Sequence, residues 1–271
     1  MSNQQQPIDF AARRQRGLDL YQEIMCKPHP VPRTPRAAAM VDFVFAEIWS
    51  RPGLERRARR LVSVSCAAGA SDASSMRDHA YAALASGDLS YDELLETVLH
   101  VAVYAGWPRA EALERAVEEQ WRKLGAERGE SPPERSEQPW SSLPSDPAER
   151  KKLGQDNFIA VNAIPYPDID APYVQAGILD YVFADMWLRP GLNRRDRRWI
   201  TLACVAFSDS HHPIQSHVYS ALKTGDIEIG EMREMVLHFA ACSGWPKASF
   251  LLQNVEVEYQ KVCEEGAAPE G

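Results

Sequence analysis

The sequence predicts an all-α protein built as a tandem duplication of one helical unit. Three observations predict it. Residues 42–121 align on residues 180–259 without a gap, with 34 of 80 positions identical. Apolar residues in both copies recur at helical spacing, and no segment shows the apolar/polar alternation of a half-buried strand. The shared blocks pair Val44–Arg60 with Val182–Arg198, His79–Asp88 with His217–Asp226, and Glu96–Ala110 with Glu234–Ala248. A weaker match pairs Gly17, Tyr21, Pro28 and Pro30 with Gly154, Phe158, Pro165 and Pro167. The chain is therefore expected to comprise a disordered tail at 1–13, a first repeat at 14–124, a polar linker at 125–150 and a second repeat at 151–264. The linker is assigned on its Pro, Ser, Glu and Arg content and its few aliphatic residues.

Within the first repeat, Val41, Val44, Phe45, Ile48 and Trp49 form the stripe of an amphipathic helix, which Arg51-Pro52-Gly53 stops. The nearly uncharged run Leu61–Ala68 follows an arginine-rich turn, and Trp199–Phe207 repeats the pattern, so this helix is expected to be buried all round in its second half. The next helix carries Met76, Ala80, Ala83 and Leu84 and ends at Gly87 as a C-terminal cap. Ser90 and Glu93 form a capping box ahead of a helix with Leu94, Leu95, Val98, Leu99 and Ala102 on its apolar face. Gly106-Trp107-Pro108 breaks that helix before a last one running to about Trp121.

Composition excludes several classes. With 30 Lys+Arg against 38 Asp+Glu the net charge is −8, which argues against a general nucleic-acid binder, because phosphate neutralisation needs a basic face. No apolar run is long enough to span a membrane and the N-terminal stretch is polar, so no membrane partner is expected and the cytoplasm is the expected compartment. Five widely spaced cysteines with no Cys-x-x-Cys pair read as reduced thiols, with Cys66 and Cys204 as small core residues.

Candidate chemistry centres on histidine and arginine. His79 and His217 occupy equivalent positions beside apolar helix faces; such a ring is most often a packing residue, and its ordinary pKa near 6.5 also suits a proton shuttle. His100 and His238 each follow a glutamate (Glu96, Glu234) by four residues, which reads as a solvated ion pair or as an oriented acid/base couple. His211 and His212 occur only in the second repeat, opposite Ala73 and Ser74; with His217 they could be metal ligands, but no acidic or cysteine partner sits at a strong ligand spacing, and no metal is expected. Of the clustered arginines, most must be solvated or paired across a contact, and one or two could clamp a carboxylate. Trp107 and Trp245 read as core plugs more readily than as ligand platforms.

The run AEIWSRPGLERRARRL, the helix with His before Ala-Leu and Gly, and ETVLHVAVYAGWP together resemble the carboxymuconolactone decarboxylase family, across about residues 14–121 and 151–259. The resemblance implies an alkyl hydroperoxidase D-like helical fold. It also implies a homo-oligomer in which three two-repeat chains imitate a hexameric ring of single repeats, and a pocket around His79 and His217. The peroxidase branch would carry cysteines at Asp72 and Ser75, or Ser210 and Pro213, and an acidic relay at Arg60 and Arg198; none is present, which disfavours thiol peroxidase chemistry. The decarboxylase branch usually has Glu at Ser75/Pro213 and a basic residue at Arg77/Gln215, of which only Arg77 keeps the charge. The expected function is cofactor-independent, decarboxylase-like action on a small carboxylated lactone or related acid. His217 (or His79) serves as general acid/base, Arg198 or Arg60 as carboxylate clamp, and His211 or His212 as an extra donor, with Trp245, Trp107, His238 and His100 around the substrate. Cofactor-free isomerisation, hydration or lactone opening on the same fold, and a decayed ligand-binding scaffold, are the alternatives.

Overall fold

The structure is a computed structural model that describes residues 9–130 and 143–266. Most of the expected tail (1–8) and the middle of the expected linker (131–142) lie outside the described residues. Helix α1 (Phe10–Met25) begins inside the span expected to be disordered, because the Asp9 carboxylate accepts hydrogen bonds from the Ala11 and Ala12 amides and so caps the helix. Helix α2 (Pro35–Ala39) runs on into a π-helical segment, Met40–Trp49. Then follow α3 (Arg56–Gly69), α4 (Ala73–Ser86), α5 (Tyr91–Ala105) and α6 (Trp107–Arg128). The second half repeats the order: α7 (Pro147–Asn162), a π-helical segment at Tyr173–Phe183 followed by a 3-10 turn at Met186–Leu188, α8 (Arg194–Phe207), α9 (His211–Lys223), α10 (Ile229–Ser243) and α11 (Trp245–Glu264). Among the described residues there is no strand. Helix α6 extends past residue 124 to Arg128, and α7 opens at Pro147 with Asp146 as its cap, so both ends of the expected linker are helical.

Several terminators match the sequence reading. Gly87 closes α4 with φ 75°, a left-handed conformation that favours glycine. Ser90 and Glu93 form the reciprocal capping box of α5. The helix read over Val41–Trp49 is π-helical, and its wider turn brings Ala46 onto the buried face while Val44 stays half-buried. The weak Gly17/Gly154 match has a steric cause. A Cβ on Gly17 would run into the Val41 carbonyl, and one on Gly154 into the Leu179 carbonyl, so each glycine lets the opening helix lie directly on the π segment.

Helices α3 and α8 sit at the centre and pack on each other. Every residue from Ala58 to Gly69 and from Asp196 to Ala206 is buried. Helix α5 crosses onto α8 and α10 onto α3, so the two halves share one core rather than packing as separate balls. Each fully buried Leu, Ile or Val there contributes about 1.5–3 kcal/mol, and much of the apolar surface one repeat alone would expose is covered by the other. Ion pairs fasten the seam: Arg51 grips Glu234 and its counterpart Arg189 grips Glu96, while the equivalent arginines Arg57 and Arg195 find non-equivalent acids, Asp196 at 2.9 Å and Glu55 at 3.6 Å. Among the described residues no helix is long and apolar enough to cross a membrane.

Candidate active site

A cleft of about 710 Å³ opens in the second half, with walls from both repeats. The first half contributes the α5–α6 corner, with Tyr104 and Trp107. The second contributes the π segment through Tyr181 and Phe183, and the α8–α9 corner through Ser208, Ser210, His212, Ser216 and His217. The walls are mostly aromatic and aliphatic, with hydroxyls and imidazoles gathered at the α9 end, the usual composition of a small-molecule site.

His217 lies at the base of this corner. Burial, together with the nearby Arg198 and His212, pushes its pKa down to about 3, so the ring is neutral at physiological pH. Its Nδ1 is buried with no hydrogen-bond partner among the described residues, an opening a ligand oxygen can fill. The Tyr104 ring meets it edge-on at 5.4 Å between centroids. Trp187 Nε1 donates to the Tyr104 hydroxyl at 2.9 Å, and burial pushes the phenol pKa up to about 12, so Tyr104 keeps its proton. Sequence reading missed Tyr104 because it belongs to the other repeat. The one signal was asymmetry, Tyr104 standing where the second copy has Cys242.

Helix α9 begins at the mouth of the cleft. Its N-cap, Ser210, makes no capping bond; the Ser210 hydroxyl pairs with Ser208 at 2.8 Å and the preceding Asp209 pairs with Lys247, which leaves the His211 and His212 amides without a capping carboxylate. In the first half the equivalent N-cap, Asp72, accepts from the Ser74 amide at 3.0 Å and the Ser75 hydroxyl at 2.6 Å. The same helix end is thus closed by a negative charge before His79 and open before His217.

The remaining expected site residues divide. His212, exposed, and Trp107, 62% exposed, border the cleft, and Trp107 is therefore no core plug: the Gly106 turn, at φ 99°, directs it outward. Trp245, 53% exposed, packs on Phe43 of the first half. His211 faces away from the cleft onto Phe250, with ring centroids 4.5 Å apart. His79 has its pKa pushed down to about 3 by burial and by Arg60. His100 and His238 do not pair with their own helix's glutamates, which cross to arginines of the other half. His100 Nε2 meets Thr201 Oγ1 at 2.7 Å and His238 Nε2 meets Ser63 Oγ at 2.8 Å, so both rings pin the seam between repeats.

Arg198 and Arg60 correct the expected clamp. Both are fully buried and neither lines the cleft. Arg198 donates to Asp226 at 3.0 Å, to Ser220 at 3.1 Å and to the Val161 carbonyl, while Arg60 donates to Asp88 at 3.0 Å and to the Ile24 carbonyl. With donors committed to internal acceptors, these guanidiniums hold α1 and α7 against the core and leave no fork for a substrate. Among the described residues lining the cleft there is no lysine or arginine, and none gather into a group able to hold a metal ion.

A duplicated helical scaffold thus brings a buried neutral imidazole, a protonated phenol and an open helix end to one aromatic-walled cleft. Comparison with known proteins places it further. The family model described as carboxymuconolactone decarboxylase matches residues 36–119 and 172–256, more than half of the chain, and the protein belongs to that family, with two copies of its unit. It is 37% identical over 83 residues to a 4-carboxymuconolactone decarboxylase of Acinetobacter baylyi, covering 31% of this chain and 61% of that protein. It is 32% identical over 78 residues to the nitrosuccinic acid decarboxylase npaB of Metarhizium robertsii, covering 28% of this chain and 54% of that protein. The match thus spans less than two thirds of either relative.

Proposed function

We propose that the His217 cleft is a cofactor-independent decarboxylation site for a small carboxylated lactone or related acid. The observation that carries this reading is the open N-terminus of α9 beside a neutral, half-orphaned His217 in an aromatic-walled cleft. With no lysine or arginine lining the cleft, the substrate carboxylate is held by the His211 and His212 amides at the start of α9 and by the His212 side chain. Loss of carbon dioxide leaves an electron pair that delocalises onto the lactone carbonyl, and the N–H of His217 and the O–H of Tyr104 are the donors for that oxyanion. His217 then delivers a proton to carbon. The bound anion itself raises the imidazole pKa, because a negative charge nearby favours the protonated ring. Family membership and the decarboxylase names of both relatives support the reaction class. The chain is proposed to act as a ring of three copies, which sedimentation analysis tests.

The test is carbon dioxide release from a panel of carboxylated lactones and short unsaturated acids. Wild type should turn over at least one of them, and His217→Ala should lower the rate by at least about 100-fold, the lower range for loss of a general acid/base. An unchanged rate in His217→Ala overturns the assignment.

A further inference from the structure

The first half holds a second cluster of reactive groups where the cleft of the other half has its tyrosine. Cys242, on α10, is exposed and stands at the position equivalent to Tyr104. Cys66, on α3, is buried three residues on from Ser63, and so on the same face of α3, which packs against α10. Ser63 Oγ lies 3.9 Å from Cys242 Sγ and 2.8 Å from His238 Nε2, so thiol, hydroxyl and imidazole form a contiguous chain across the seam between repeats. The second half offers an internal control: Cys204 replaces Cys66, Tyr104 replaces Cys242, and Cys204 is left alone, its pKa pushed up to about 12 by burial. On the Cys242 sulfur the opposite happens, since the neighbouring Cys66, His238 and Ser63 hold its pKa well below the ordinary thiol range.

We propose that Cys242 and Cys66 are an oxidation site, a vicinal thiol pair that peroxide closes into a disulfide between α3 and α10. The Cys242 thiolate attacks one oxygen of hydrogen peroxide, the O–O bond breaks, and the departing hydroxide takes up a proton to leave as water. The Cys66 sulfur then attacks the resulting sulfenic acid, the S–O bond breaks, and the hydroxyl leaves as a second water with the Cys66 proton. Two thiols lose two electrons in all and one peroxide gains them. The exposed sulfur is the one that meets the oxidant and the buried sulfur resolves it, which fits their positions. None of this uses the histidine-helix positions 72, 75, 210 and 213, where no cysteine stands. Closure ties one half of the molecule covalently to the other.

The experiment uses the full, reduced chain, one equivalent of hydrogen peroxide, quenching with N-ethylmaleimide and peptide mass mapping. A Cys66–Cys242 cross-link 2 Da lighter than the two reduced peptides is expected as the main product, with Cys204 still reduced. At pH 7, Cys242 should alkylate at least about ten times faster than Cys263, because the neighbours of Cys242 favour its thiolate. Cys66→Ser should abolish the cross-link and leave Cys242 as sulfenic acid. The proposal is overturned if Cys242 oxidises no faster than Cys263, or if the disulfide recovered joins any other pair. These readouts come from the wild-type chain and involve no turnover, so they stand or fall separately from the decarboxylation reading.

Discussion

The two halves of this chain are the same scaffold carrying different chemistry, and the difference lies at three positions. In the second half the histidine helix has an open N-terminus at Ser210, a neighbouring His212, and Tyr104 across from His217. In the first half the equivalent positions are Asp72, which caps its helix, Ser74, and Cys242. What both halves keep is structural: the arginine–aspartate pairs Arg60–Asp88 and Arg198–Asp226, the histidines His100 and His238 at the seam, and the exchanged Arg51–Glu234 and Arg189–Glu96 pairs. Duplication preserved the parts that bury charge, because a buried charge that loses its partner is costly, and left the groups around each histidine free to diverge.

The comparison can be broken first at the shared scaffold, where the largest effect is expected. Arg60→Met leaves the Asp88 carboxylate without its cation and should cost about 3–5 kcal/mol in urea unfolding, and Arg198→Met should cost less, because Asp226 keeps Arg194 at 2.7 Å. If Arg198→Met instead kept wild-type stability and lost only turnover, the clamp reading would stand and the structural one would fail.

Acid should strain both halves, the first through His79 and the buried His100 and the second through His217. His79 and His217 titrate near 3 in the fold and near 6.5 when unfolded, so between those values the unfolded chain binds more protons. Their contribution is complete above pH 6.5 and is lost as pH falls toward 3, at about 1.4 kcal/mol per pH unit for each ring. Denaturant midpoints measured from pH 7 to 4 should show this slope, and His217→Gln or His79→Gln should each remove an equal share of it.

A smaller change sharpens the contrast between the two helix ends. Ser210→Asp copies the first half's cap into the second, so it should stabilise the protein by about 0.5–2 kcal/mol. It should also raise KM for a carboxylated substrate by about tenfold, because it spends the same amides and adds a like charge. A variant that is more stable with an unaltered KM would remove the helix end from the binding account.

Much of the fold was legible because duplication printed each helix twice. The Gly87 stop, the Ser90–Glu93 box and the all-round burial of α3 and α8 follow from local residues and their spacing. The site was legible only in part. His217 and His212 could be singled out from the asymmetry of the copies, but Tyr104 enters from the other repeat, and no local pattern links it to α9. The arginines were misread for a related reason: Asp226 and Asp88, which occupy them, lie 28 residues downstream. The i,i+4 spacing of Glu96 and His100 marked a shared helix face correctly, yet each side chain finds its partner across the seam, in Arg189 and Thr201. Trp107 looked like core by composition, whereas the backbone turn at Gly106 aims it at solvent and the cleft rim.

The central claim is that each chain has one acid-binding cleft, and that it is the one at His217. Calorimetric titration with an unreactive carboxylated lactone analogue tests this most directly. One site per chain is predicted, weakened by Ser210→Asp and untouched by His79→Ala. Two sites per chain, or a single site abolished by His79→Ala and indifferent to Ser210→Asp, would contradict it.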